Sequence, residues 1–236
     1  MSKATTTATG AAEIVRFEGP QIDAASLWAA ITHTPGVGVS ITDAAGNLLF
    51  VNDTAKLLFS ESLEVDYRGK TIHDFHSREF ADERLAMIGR VLQDGKPLSI
   101  NHIYHGRRIQ STVWPVRDRR PPYGRAIVVS HERSHDPITP VLAGDCETIS
   151  SAYIDLGPLN VLTHRELEVL VLLGHGMSVP DAAALLVRSP KTIQRHKSSI
   201  SEKLGARGQA DLVAIVTSIG LNMEDIKLKR LPSTDG

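Results

Sequence analysis

The sequence predicts an α+β protein in two parts. A five-stranded antiparallel sheet with helices comes first, and an all-α module of four helices follows. Three observations carry this. Strand-like runs alternate with helical stretches as far as His131. Residues 132–159, with Pro137, Pro140, Gly144, Gly157 and Pro158, show little periodicity and read as a linker. Beyond them the apolar spacing is helical. A chain of 236 residues, 42% hydrophobic and 22% charged, has room for one large globular domain or two small ones. No apolar run approaches the ~20 residues that span a bilayer. The one cysteine, Cys146, leaves neither an internal disulfide nor a cysteine-rich metal site, and a reducing cytoplasm fits.

Residues 1–21 are expected to be a disordered leader. Met1–Ala12 is rich in Thr and Ala and has no apolar core of a signal peptide. The first domain, 22–131, opens with a short helix capped by Asp23, with Leu27, Trp28 and Ile31 on one side. Pro35-Gly36 ends it. Val37–Thr42 and Leu48–Val51 are β-rich runs joined by the turn Asp43–Asn47, so they read as a hairpin. Asn52-Asp53-Thr54 starts a short helix with Ala55, Leu58 and Phe59 inward. A longer helix, about Ser77–Gln93, presents Phe80, Leu85, Ile88 and Leu92 and stops at Asp94–Pro97. Leu98–Tyr104, Arg108–Val116 and Arg125–His131 read as three further strands. Arg107 and Arg108 are read as solvent-facing at strand edges. In the linker, Val141–Tyr153 is expected to form a brief helix or a docking strand.

The second domain, 160–221, starts at the capping box Thr163-x-x-Glu166, with Leu167, Leu170, Val171 and Leu173 supplying a buried side. Ser178–Gly205 then reads as two helices split by a tight corner. Ser178 and Asp181 fit a cap and an acidic first turn. Ser189-Pro190 offers a cap plus a proline at the first helical position, and Gly205 can take the left-handed conformation that ends the helix. At about 100° per residue, Ile193, His196, Lys197, Ile200 and Leu204 share the sector facing the core. Lys191, Gln194, Arg195, Ser198 and Glu202 lie opposite. From Arg188 to Arg207 six basic residues stand against Glu202 alone, a local +5 in a chain whose net charge is −1. Cations set against the general trend suit phosphate binding, and Arg and Gln suit guanine and adenine edges in the major groove. Lys191, Thr192, Gln194, Arg195, Lys197, Ser198 and Lys203 are the expected DNA-binding residues. Residues 222–236 are charged and expected to be a flexible tail.

The motif residues Leu162–Leu170, Gly174-His175-Gly176, Ser189, Thr192-Ile193, His196, Ile200 and Lys203-Leu204-Gly205 stand in an ungapped pattern. With them, Thr163 to about Leu221 resembles the DNA-binding domain of the LuxR type of bacterial transcription regulators. The resemblance implies a four-helix module whose third helix reads DNA, with bases met from Gln194, Arg195 and Ser198. It also implies a homodimer contact through the last helix, Ala210–Ile219, for which Leu212, Val213, Val216 and Ile219 are the candidates. Arg188 and Gln209 depart from the pattern, where an aliphatic residue and an arginine are usual. They motivate an alternative reading, a protein-interaction or dimerisation adaptor that does not bind DNA strongly.

Ile41-Thr42-Asp43 with Gly46–Asn52, and the order of elements around them, resemble the PAS sensor fold. That fold implies a core able to enclose a small ligand or to be filled by side chains. No cofactor is assigned. A flavin–cysteine adduct lacks its cysteine here, and haem would need His73, His76, His102 or His105 as axial ligand. No nucleophile motif, phosphate-cradling loop or paired-metal spacing appears, so no enzyme is expected. The chain reads as a cytoplasmic regulator of transcription with double-stranded DNA as partner and no membrane role.

Overall fold

The computed structural model describes residues 23–117, 120–133 and 146–231. The leader 1–21 lies outside them. The first domain runs α1 (Ala24–His33), β1 (Gly38–Asp43), β2 (Leu48–Val51), α2 (Asp53–Ser60), α3 (Arg78–Asp94), β3 (Leu98–Tyr104), β4 (Arg107–Pro115) and β5 (Arg125–Glu132). Asp43 shapes the β1–β2 turn, its carboxylate accepting from the Ala45 and Asn47 amides. Asn52 ties three elements together. Its Oδ1 accepts from Val39 N and Ala55 N, and its Nδ2 donates to Thr32 O and Val37 O. One buried amide thus caps α2, ends α1 and holds β1. Trp28 of α1 meets Phe50 edge-on, whereas Leu27 and Ile31 stay exposed.

Among the described residues the sheet has six strands, in the order β2-β1-β5-β4-β3-β6, not five. The additional strand, β6 (Glu147–Ser150), pairs parallel with β3 from Leu98↔Glu147 to Asn101↔Ser150. Without it β3 would be an open edge with unpaired amides. A docking strand was one of two expectations for this segment, and the strand formed. α3 covers one face of the sheet, burying Ala81, Ile88, Val91 and Leu92 against Leu98, Ile100, Val113 and Ala126.

The second domain contains α4 (His164–Gly174), α5 (Val179–Leu185), α6 (Pro190–Leu204) and α7 (Gln209–Ile219). Its core joins Leu167, Leu170 and Leu173 to Ile193, Ile200, Leu212 and Val216. α4 and α7 touch where Gly174 faces Val216, so closely that a Cβ on the glycine would overlap the valine.

The stretch from 222 to 231, expected to be loose, is docked. β8 (Lys229–Arg230) pairs with β7 (Tyr153–Ile154), and Leu231 is buried with Leu58, Phe80, Tyr104 and Ile109 of the first domain. Ile226 and Leu231 are the anchors, spaced among charges that dominate the composition of this segment. Arg108, read as solvent-facing, also joins the halves. Its guanidinium donates to the carbonyls of Ile219 and Gly220 at the end of α7 and to Asp225. Arg107 likewise donates to the Leu57 and Leu58 carbonyls.

Candidate nucleic-acid interface and sensor cavity

α6 is positioned from below by Ile193 and Ile200, both fully buried, and from its ends by two caps. Ser189 accepts from Thr192 N, and Gly205 closes the helix at φ 66°. Lys191, Gln194, Arg195 and Ser198 are exposed. Apart from Ser198 Oγ, which donates to the Gln194 carbonyl, their side chains meet no partner among the described residues. Lys191, Gln194 and Arg195 thus form a row of donors without acceptors along this helix face. Arg188 is exposed at the corner and does not enter the packing between α5 and α6. The corner residue before it, Val187, takes φ 53° with its side chain 80% exposed. That is an uncommon conformation for a β-branched residue.

Three of the expected DNA-binding residues are occupied inside the module. Lys197 Nζ donates to Gln209 Oε1 at 2.8 Å, and Gln209 Nε2 donates to the Leu173 carbonyl, which ties α6 to α7 and α4. Lys203 Nζ donates to Glu166 Oε2 at 2.7 Å. Thr192 Oγ1 pairs with Ser189 Oγ within the cap. Glu166 is the hub here, accepting also from Ser199 Oγ and from Thr163 N and Oγ1. Burial alone would raise its pKa. The donors from Lys203, Ser199 and Thr163 outweigh that and hold the carboxyl at about 2.

Of the residues expected at a dimer contact, Leu212, Val216 and Ile219 are buried within the protomer, because α4 takes up the apolar side of α7. Val213 is half-buried, and Ala210, Ala214 and Thr217 share the outward side with it.

In the first domain a cavity of about 110 Å³ lies between α3 and the sheet. Leu48, Ile72, Phe80, Ile88 and Val113 make much of its wall, and His76, Arg84, His102 and Ser111 are among its polar members, with Lys56 also on the lining. Burial first, and then the Arg84 charge, push the pKa of His76 down to about 3 and that of His102 well below its ordinary value. Both rings are neutral. His76 Nδ1 lies 2.6 Å from the Tyr104 hydroxyl, whose pKa burial raises. Arg84 was not anticipated. Its signal was available in the spacing Phe80-x-x-x-Arg84-x-x-x-Ile88, which puts a cation on the apolar stripe of α3. The other two histidines serve elsewhere. His73 pairs with exposed Asp82, and His105 lies 3.1 Å from Asp155, whose hydrogen bond raises the imidazole pKa.

Residues 160–216 match the family described as bacterial regulatory proteins, luxR family, and residues 34–135 match the PAS fold. The chain is 35% identical over 77 residues to the uncharacterized response regulatory protein YgeK of Escherichia coli (33% of this chain, 50% of YgeK). It is 38% identical over 74 residues to the transcriptional regulatory protein UhpA of the same organism (30% of this chain, 38% of UhpA). The chain thus spans half or less of these curated relatives. A solved structure of Vibrio cholera VqmA in complex with ligand and DNA aligns with 89% of this chain and 94% of its own, at 20% identity and a TM-score of 0.48.

Proposed function

We propose that this chain, a luxR-family module behind a PAS fold, is a dimeric, sequence-specific DNA-binding regulator of transcription. The observation that carries the reading is the row Lys191, Gln194, Arg195 and Ser198. These four donors are exposed on a helix that Ile193 and Ile200 fix in place. Lys191 and Arg195 supply charge for phosphates. Gln194, Arg195 and Ser198 supply the directional contacts that distinguish base edges. The luxR-family match over the same residues and the name of UhpA point the same way. The chain works by binding and not by catalysis, in the cytoplasm. No described helix is long and apolar enough to cross a membrane.

Two modules would be held so that their α6 helices enter successive major grooves, about one DNA turn apart. With Leu212, Val216 and Ile219 committed to the protomer, the contact falls to the outward side of α7, Ala210, Val213, Ala214 and Thr217. The cavity of the PAS half takes the small ligand that modulates this geometry.

Selection of binding sites from random duplexes, followed by gel shifts at two salt concentrations, tests the reading. A recovered inverted repeat bound with steep salt dependence is expected. Absence of binding would favour the adaptor alternative, and equal binding to all sequences would remove the sequence specificity.

A further inference from the structure

The chemistry of the cavity can be read further, given the reading above that it holds the sensor's ligand. Arg84 is 8% exposed. Its Nη2 donates to His102 Nδ1 at 2.8 Å, and its Nη1 reaches only the Met87 sulfur at 3.5 Å. Its Nε is buried and meets no acceptor. The guanidinium stacks over the Phe80 ring at 4.4 Å, which leaves the in-plane Nε–H unpaired. Glu83 lies 3.6 Å from Nη2, but its two oxygens already accept from Ser151 Oγ and Ala152 N. A buried donor left unpaired is destabilising, and more so when charged.

The neighbour of Arg84 is fixed by the same contact. Arginine has no acceptor, so His102 Nδ1 must accept, and the neutral ring carries its proton on Nε2. That N–H faces Ser111 Oγ at 3.5 Å, the limit of a hydrogen bond, and Ser111 Oγ is itself engaged with Ser130 Oγ at 2.8 Å. Arg84 and His102 therefore both offer hydrogen to the cavity, while Glu83 balances the guanidinium charge from 3.6 Å without meeting its Nε–H. The volume of about 110 Å³ is of the order of the ~150 Å³ apolar cavity that admits benzene.

We propose that the cavity takes a small organic acid, with a body no larger than one ring, whose carboxylate accepts from Arg84 Nε–H and His102 Nε2–H. The body lies against Ile72, Ile88 and Val113. A cationic ligand is rejected by Arg84, and a neutral one offers its Nε–H a weaker acceptor than a carboxylate does.

Benzoate and its neutral isostere nitrobenzene, titrated calorimetrically into the full chain, test this. Benzoate is expected to bind roughly 10- to 100-fold more tightly, the range of a charge-assisted hydrogen bond. Arg84→Met should close that gap. If Arg84→Met does not fold, the preference measured on the unaltered chain decides alone. Nitrobenzene bound as tightly as benzoate, or a preference that survives in Arg84→Met, overturns the organic-acid assignment and leaves the cavity as a ligand site. Binding of neither probe overturns the cavity reading itself.

Discussion

Arg195 and Arg84 divide the molecule between them. Arg195 stands in water on α6, one of a row of donors without acceptors. Arg84 is closed inside the PAS half, short of one acceptor. The first can meet a polyanion of any length, and its energy is shared with the ions around it. The second can meet only what fits in a space near the size of one ring. Arg195 is exposed to water and salt whereas Arg84 is buried, so the same guanidinium chemistry gives two kinds of recognition. Anion binding at the α6 face should respond strongly to ionic strength, and binding beside buried Arg84 much less.

The contrast can be broken most severely from below. Ile200→Ala removes a fully buried peg under α6 and should cost about 2–5 kcal/mol, read as a lower denaturant midpoint, with DNA affinity falling alongside. Arg195→Ala should cost about 1–3 kcal/mol at one base pair of the selected site and relax discrimination there. A uniform loss on all duplexes would make Arg195 a phosphate contact. Lys191→Ala should weaken all sequences alike and lower the slope of log affinity against log salt by about 1. A third route is acid. With a native pKa of about 2, Glu166 adds stability above its unfolded value, and this is lost as pH falls from the ordinary glutamate range towards 2. Glu166→Gln should flatten that limb of the melting-temperature profile. The smallest effect is expected at the corner, where Val187→Gly relieves a positive φ and should raise stability by about 0.5–1 kcal/mol.

The row on α6 was legible because a helix repeats with a fixed angle. Once Ile193 and Ile200 are placed inward, Gln194, Arg195 and Ser198 have nowhere else to point. Lys197 and Lys203 were not separable in this way. Their acceptors, Gln209 and Glu166, stand 12 and 37 residues away, and long side chains reach across elements whose packing no periodicity encodes. The direction of the apolar side of α7 was hidden for a related reason. A stripe of Leu212, Val216 and Ile219 serves a partner or a neighbour equally well, and only the approach of Gly174 decides for α4. In the first domain the order of strands and helices followed from local turns, while β6 depended on a distant edge. Arg84 was legible in principle from its place on the stripe of α3. The missing acceptor that gives it meaning appears only in three dimensions.

Leu231 sits among Leu58, Phe80, Tyr104 and Ile109, so residues beyond α6 and α7 complete the hydrophobic interior of the half that precedes them. Phe80, one of those neighbours, is also a wall of the cavity. Anyone who cuts this chain between residues 133 and 146 to obtain a free-standing sensor will therefore make a domain with a hole in its side. A faithful fragment has to bring its own plug.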